Sequence, residues 1–366
     1  MKRILSLFVL YYLRFFAKLK IAKINPTIIG VTGSAGKTSC VAAIQAILKT
    51  KYTVKTTGSA NSESGIPLAI LDLKMNDYSV FDWIRVILSA PFFTTKKCDI
   101  FVAEMGIDSL EAPKNMEYLL SIIQPKIGVF LNALPVHTEQ MKSVQNIFEE
   151  KSKLIKSLPA GGTAVINSDY DIETKAKVIK FKDDGTPIPP ALAVGKIFGI
   201  NKNKIPDFVL PAGRGNVFEG LNNSTIIDSS YNSSPVPTAN ALKKLKEFQN
   251  RHIAVLGDMR ELGNLAEDEH KKLAEIAKKS ADVIITVGPL FKQFTTFDNQ
   301  FDNFWEAGKF LQTIIKKGDV ILFKGSQNTI FLEGAVEMCL KNKSDISKLC
   351  RRGTYWDNQR NLSLQD

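Results

Sequence analysis

The sequence predicts an α/β protein built as two successive units, each on a mostly parallel sheet. Three observations predict it. Short apolar runs alternate with segments of helical periodicity, as they do when crossover helices connect parallel strands. The first strong run passes through a glycine-rich turn directly into an apolar helix. The 366 residues, 44% hydrophobic and 23% charged, have ordinary globular composition and suffice for two or three domains with their own cores.

The chain opens with MKRILSLFVLYYLRFFAKLKIAKIN. Its apolar run, Ile4 to Leu13, is too short to cross a bilayer before Arg14 and Lys18 interrupt it. The basic start suits a signal peptide, but no small-residue cleavage site follows. Aromatics, leucines and lysines at helical spacing predict an amphipathic helix over residues 1–24, lying on a membrane surface or packing on the next domain. In the first half, PTIIGVTG, CDIFVAEMG, KIGVFLNAL and TAVINSD read as buried strands. In the second half, STIIDSS, HIAVLGDM, DVIITVG and DVILFKGS do. Between them FKDDGTPIPPALAVGKIFGINKNKIPDFVLPAGRG is rich in Pro and Gly and reads as the join. The expected domains are therefore 25–205 and 206–341, with 342–366 a polar, basic tail.

Net charge is +11 and the pI about 9.3, which fits anionic partners. The absence of a long Arg/Lys block or an RNA-binding signature argues against nucleic acid. Four cysteines without a CxxC pair read as reduced thiols in a cytoplasmic protein, and three histidines argue against a zinc cluster.

The turn after the first strand is GVTGSAGKTS, Gly30 to Ser39, followed by an apolar helix from Val41 to Leu48. Such a turn aims backbone N–H groups and a helix N-terminus at phosphate. Lys37 would reach the terminal phosphates and Thr38 a magnesium ion. The general P-loop spacing asks for glycine where Val31 stands, so this is the short form TGxxGKT. Glu104 ends the strand CDIFVAEMG, and His137 lies in the loop after KIGVFLNAL. Carboxyl ends of strands are where open α/β sheets bind ligands. A threonine, a carboxylate and an imidazole there can surround magnesium beside ATP phosphates. In IFEEKSKLIKSL, Ile147, Phe148, Leu154, Ile155 and Leu158 form one helical stripe with Lys151 in its middle. From this helix alone Lys151 reads as a snorkelling lysine or as a functional one.

TGSAGKTS, EMG, NALPVH, EEKSKL with LPAGGTAVIN, DSSYNSSP, LGDMRELG with His270, and KGS together resemble the Mur ligases over residues 27–340. The resemblance is strongest to the type that joins D-alanyl-D-alanine to a UDP-muramoyl tripeptide. It implies a P-loop-type central ATPase domain followed by a Rossmann-like α/β ligase domain. It also implies ATP and Mg2+ as cofactors, a substrate acyl phosphate and attack by an amine. By resemblance, Gly33, Ser34, Ala35, Gly36, Lys37, Thr38 and Ser39 hold ATP phosphates, with Arg214, Tyr231 and Asn232 as further nucleotide contacts. Thr38, Glu104, His137 and Lys151 form the metal set, Lys151 as a carbamate. Lys37, Lys151, His137 and Glu104 form the catalytic set, and Asp228, Lys324 and Ser326 the substrate contacts.

The match departs from the family in three places. Only about 25 residues precede the first ATPase strand, where the family has a UDP-sugar domain. The central domain lacks the GxH…N stretch that contacts adenine. Ser229, Ser234 and Gln327 replace residues common in the family. The expected substrates are a UDP-muramoyl-peptide-like or lipid-linked acidic molecule and an amino acid or dipeptide. The expected setting is a cytoplasmic monomer, at the inner face of the membrane through residues 1–24. A folylpolyglutamate-type ligase and a non-catalytic nucleotide-binding partner protein remain the alternatives.

Overall fold

The computed structural model describes residues 2–58, 60–136, 138–201, 204–326 and 329–364. It divides into two compact units, Met1–Leu134 with Gln140–Val209, and Pro135–Glu139 with Leu210–Asp366.

The chain first runs through α1 (Lys2–Ile24), β1 (Thr27–Thr32), α2 (Lys37–Leu48), β2 (Val54–Thr56), α3 (Gly65–Leu71) and α4 (Val80–Ser89). A 3-10 turn (Ala90–Phe92), β3 (Ile100–Glu104), α5 (Met116–Ile122), β4 (Ile127–Phe130) and α6 (Thr138–Met141) follow. Then come α7 (Val144–Lys156), β5 (Thr163–Asn167), β6 (Lys177–Phe181) and α8 (Ile188–Ile197). Strands β1 to β6 form one sheet in the order β2-β3-β1-β4-β5-β6, every pair parallel. The β1–β3 register sets Val31 beside Glu104, and the β1–β4 register sets Thr32 beside Phe130. Three strand ends therefore open at one edge of the sheet around the glycine-rich turn. Two apolar clusters, containing Phe130 and Ile155 in one and Ile44 and Val129 in the other, cover the faces of the sheet.

The second unit holds β7 (Asn216–Glu219), β8 (Thr225–Ser229), α9 (Pro235–Leu245), β9 (His252–Gly257), α10 (Ala266–Lys278), β10 (Val283–Val287) and α11 (Pro289–Phe294). It continues through β11 (Gln300–Phe301), α12 (Phe304–Ile314), β12 (Val320–Lys324), α13 (Glu333–Cys339) and α14 (Thr354–Leu362). Its sheet runs β11-β10-β9-β12-β8-β7, parallel except for β7.

Four strands, β2, β6, β7 and β11, carry no sequence signal. All lie at sheet edges, where one flank and often one face stay wet, so little apolar character is required. The stretch read as the join contains a helix, α8. Pro189 and Pro190 enter at its first positions, where a missing N–H costs nothing. Gly195 lets it close on α2, since a Cβ there would stand 2.6 Å from Ile47 Cδ1. Helix α2 begins at Lys37 rather than Val41, with Gly36 at its N-cap in the left-handed region (φ 82°).

The first 24 residues pack on the domain that follows them, by one side of α1. Leu10, Leu13 and Ala17 are buried, and Lys20 is buried with its Nζ 2.6 Å from Asp72 Oδ2. The opposite row, Phe8, Tyr11, Phe15 and Leu19, is exposed. Residues 342–364, read as a polar, basic tail or terminal helix, include helix α14 and fold onto the second unit. Leu349 and Cys350 are buried, and Arg351 Nη1 lies 2.8 Å from the buried Glu333 Oε2. Arg360 Nη1 donates to Arg351 O at 2.7 Å. Two of the tail's basic residues, Arg351 and Arg360, thus serve a buried carboxylate rather than solvent. All four cysteines are free and buried. Among the described residues no helix is long and apolar enough to cross a membrane.

Candidate active site

The turn from Gly33 to Gly36 lies between β1 and α2 and is held by the end of β4. Ser34 N donates to Asn132 O at 3.0 Å, and Ala35 N to Asn132 Oδ1 at 2.9 Å. Asn132 Nδ2 returns a bond to Ala35 O at 3.3 Å. Ser34 Oγ and Leu134 exchange two further bonds, at 3.0 and 2.9 Å. A Cβ on Gly33 would stand 2.8 Å from Leu131 Cβ, so the turn needs glycine there. Lys37 Nζ donates to Gly33 O at 2.8 Å and Ser34 O at 3.2 Å, folding over its own loop. Asn132 was only part of a longer motif in the sequence. A polar residue directly after a buried strand, at the ligand-binding edge, is the signal that marks it.

Glu104 ends β3 and is buried. Its Oε1 accepts from Asn61 Nδ2 at 3.0 Å, while Oε2 has no hydrogen-bond partner among the described residues. Thr57 Oγ1 accepts from Glu104 N at 3.0 Å. A buried carboxylate oxygen left unsatisfied is costly and calls for a partner that the described residues do not supply. A divalent cation is such a partner. Thr38, in the first turn of α2, is also buried. No three His, Cys, Asp or Glu among the described residues cluster as a metal site. An ion there would draw on Thr38 and Glu104 together with phosphate and water oxygens, which is the donor set a hard cation takes. His137 lies outside the described residues.

Ser143 caps α7 by accepting from Asn146 N at 3.1 Å. Ile147, Leu154, Ile155 and Leu158 are buried as the apolar stripe requires, and Phe148 packs against them. Lys151 is 3% exposed. Burial, then the Lys37 charge, lowers its pKa from the ordinary 10.5 to about 7, while Asp108, Glu150 and Glu104 oppose the fall. Its charged neighbours thus come from the loop, β3 and its own helix. Glu150 is otherwise engaged: its Oε1 accepts from Met116 N at 2.8 Å at the start of α5, and Oε2 pairs with Lys153 at 2.8 Å. An amine half neutral near pH 7 is a nucleophile, which a snorkelling lysine is not.

In the second unit Asp228, Tyr231, Asn232 and Lys324 gather at the carboxyl ends of β8 and β12. The β8–β12 register sets Lys324 beside Ser229. Lys324 Nζ donates to Ser229 O at 3.4 Å and, closely, to Asn232 O. Burial and the Arg214 charge lower its pKa to about 7 against the pull of Asp228. Burial raises Asp228, whose Oδ1 accepts from Ser230 N at 3.0 Å and whose Oδ2 has no partner among the described residues. Ser326 Oγ is likewise buried without a partner. The Arg214 guanidinium lies 4.2 Å from the Tyr231 ring centroid, and Arg351 lies 5.3 Å from it. Arg351 also donates to Tyr231 O. Arg351 was invisible in a sequence read as tail.

Comparison with known proteins agrees with this geometry. The Mur ligase middle domain matches residues 31–186, and the Mur ligase glutamate ligase domain matches 213–327. The UDP-N-acetylmuramoyl-tripeptide–D-alanyl-D-alanine ligase of Bacillus subtilis is 26% identical over 370 residues, covering 85% of this chain and 75% of that protein. The protein of the same name in Borreliella burgdorferi is 27% identical, covering 87% and 76%. Among solved structures, the MurF ligase of Thermotoga maritima in complex with ADP aligns with a TM-score of 0.76 at 25% identity, covering 93% of this chain and 84% of that one. A folylpolyglutamate synthase/dihydrofolate synthase from Yersinia pestis aligns at 0.61 and 16% identity, covering 90% and 92%, a likeness of fold. The two domain models together span most of the chain, in the order in which the two sheets occur, and on those grounds the chain belongs to the Mur ligase family.

Proposed function

We propose that this chain is an ATP-dependent, ADP-forming ligase that joins D-alanyl-D-alanine to a UDP-muramoyl tripeptide in peptidoglycan precursor synthesis. The observation that carries the reading is the edge of the first sheet. A braced phosphate loop, a buried carboxylate with one oxygen unpartnered among the described residues and a buried lysine half neutral near pH 7 all belong to it. The names of the relatives supply the substrates.

The γ-phosphoryl group of ATP passes to the substrate carboxylate, giving an acyl phosphate and ADP. The dipeptide amine attacks the acyl carbon, the C–N bond forms, phosphate leaves and the amine gives up a proton. The amides of Gly33 to Thr38 and Ser39 face the phosphates. Lys37 exchanges its loop carbonyls for phosphate oxygens, which neutralises charge where it develops. A divalent cation, when bound, supplies Lewis-acid neutralisation of the phosphoryl oxygens. Thr38 and Glu104 would hold it, and His137 is assigned by resemblance to a second ion. Neutral Lys151 attacks CO2, forming an N–C bond and releasing a proton. The resulting carbamate is an anion and would join the groups that hold the cation. Arg214, Tyr231 and Asn232 are assigned to the nucleotide, and Asp228, Lys324 and Ser326 to the amino substrate. Two of that last group carry buried polar atoms without partners, as a ligand-binding site would.

The protein is further proposed to act as a monomer in the cytoplasm, with α1 against the inner face of the membrane. Light scattering and vesicle sedimentation test these two points. The reaction itself is tested with ATP, magnesium, UDP-muramoyl tripeptide and D-alanyl-D-alanine, following pentapeptide and phosphate. One phosphate per pentapeptide is expected. Phosphate release that depends on neither acceptor overturns the reading.

A further inference from the structure

Helix α4 and the 3-10 turn after it present apolar side chains outward that nothing in the first unit uses. Phe81 and Phe92 are each 83% exposed, and Ile84 and Leu88 are exposed between them. The inward positions of the same segment, Asp82, Val86 and Ala90, are buried. Outward residues recur at three- and four-residue intervals, so α4 has one apolar face on the core and a second facing out.

This face borders the exposed row of α1. Tyr12 Oη donates to Ile87 O at 3.2 Å, joining the helices. Ring contacts run from Phe8 to Tyr12 (6.4 Å), from Tyr12 to Phe16 (4.9 Å) and from Phe16 to Phe15 (5.2 Å). They link the outward row of α1 to the side that meets α4. At the other end, Lys23 Nζ lies 5.2 Å from the centroid of Phe93, just past the turn. A contiguous apolar and aromatic surface of this kind marks an interaction site.

Its charge decides the partner. Residues 1–62 contain no Asp or Glu, and α1 carries Lys2, Arg3, Arg14, Lys18, Lys20 and Lys23. Lys18 and Lys23 are exposed, and exposed Lys96 and Lys97 follow the turn after α4. Of the two acids between Leu73 and Cys98, Asp82 is buried and paired with Arg85. Exposed aromatics within a cationic rim complement an anionic lipid surface, where rings enter the acyl boundary and lysines meet headgroups.

We propose that α4 with its following turn is a second membrane-binding element, which inserts Phe81 and Phe92 into an anionic phospholipid monolayer beside α1. This rests on reading α1 as a surface helix. It adds that α1 alone is not sufficient, and that the bound protein lies on two helices rather than one. Two contact lines fix an orientation on the surface, which a single helix leaves free to roll.

The test is sedimentation of the full chain with vesicles of equal phosphatidylglycerol and phosphatidylcholine, and with phosphatidylcholine alone, without ATP. Three proteins are compared: wild type, Phe81→Asp/Phe92→Asp and Phe8→Ser/Phe15→Ser. The side chains replaced are exposed, and circular dichroism checks that the fold is kept. Wild type is expected to pellet with anionic vesicles and to be released by salt, and Phe81→Asp/Phe92→Asp to lose roughly tenfold or more in partition. Ligation of soluble substrates should be unchanged in all three. If the Phe81→Asp/Phe92→Asp protein partitions like wild type while the α1 variant does not, the inference is overturned and the α1 reading stands. If wild type stays in the supernatant, both are overturned. If it does so and the substitutions instead dissolve a dimer on size exclusion, the face belongs to a second copy of the chain.

Discussion

Replacing Lys151 by methionine should make the protein more stable and inactive, and the gain in stability should depend on pH. Methionine keeps the length and aliphatic stem of the side chain, so packing changes little. What it removes is the cost of holding an ammonium in a buried site. The fall from 10.5 to about 7 corresponds to roughly 5 kcal/mol between the charged and neutral forms. With a folded pKa below the unfolded one, the unfolded chain binds more protons between about pH 7 and 10.5. Stability of the wild type therefore rises with pH across that window, and the full penalty applies below it. The variant should gain up to about 4 kcal/mol at pH 7 and close to nothing near pH 10.5. Urea unfolding of both proteins at pH 7 and pH 10, in CO2-free buffer so that no carbamate forms, measures the difference directly. An equal gap at both pH values would refute a desolvated lysine. So would a variant less stable than wild type at pH 7. The same substitution should lower ligation by roughly 10²–10³. Lys151→Ala, which opens space, should regain part of its activity with short carboxylic acids. Full activity in either variant would leave Lys151 as packing.

Other outcomes follow from the same geometry. Asn132→Ala removes two bonds to Ala35 worth about 1 kcal/mol each, and should lower the melting temperature by a few degrees and raise the KM for ATP roughly tenfold. An unchanged KM would show that the loop needs no brace. Glu104→Gln keeps the Asn61 contact but loses the charge, and should raise the magnesium needed for half-maximal rate roughly tenfold. A magnesium titration showing no shift removes Glu104 from the metal set. Gly33→Ala drives a Cβ to 2.8 Å from Leu131 and should cost about 1–3 kcal/mol in urea unfolding as well as nucleotide binding. Arg351→Met leaves the Glu333 carboxylate buried without its 2.8 Å partner, a loss of about 3–5 kcal/mol. Thermal melting that is unaffected by this change would show that Arg360, 3.7 Å from Glu333, suffices alone.

The parts of the molecule legible in the sequence are those where burial constrains residue choice most. The eight strands read from apolar runs are central or near-central, flanked on both sides and covered on both faces. Edge strand β7 alternates half-buried and exposed residues, and β6 is mostly exposed up to Phe181, so both say little. The phosphate turn was legible because its glycines answer to steric limits that no other residue meets. Lys151 was visible as a charge out of phase with its helix, although periodicity alone could not separate snorkelling from burial. Asn61 and Arg351 were not visible, and Asn132 was visible only as the first residue of NALPVH, without its role. Each acts on a group distant in sequence: Asn61 on Glu104, Asn132 on Ala35 and Arg351 on Glu333. Only the fold brings them together. The outward face of α4 also escaped notice, because an apolar residue's solvent exposure is a tertiary fact.

Helix α1 has a consequence for how the protein is made. Its buried side meets α3, α4 and α5, and α5 begins at Met116. At about 5–20 residues per second the ribosome needs roughly 5–20 s to deliver α5 after α1 has been synthesised. For that interval Leu10, Leu13 and Ala17 have no completed core, and the aromatic row on the other side stays bare as well. A nascent helix apolar on both sides and rich in cations is a substrate for chaperones and for the nearest lipid surface. Synthesis in a cell-free system stripped of both should therefore yield more aggregate than synthesis with either restored.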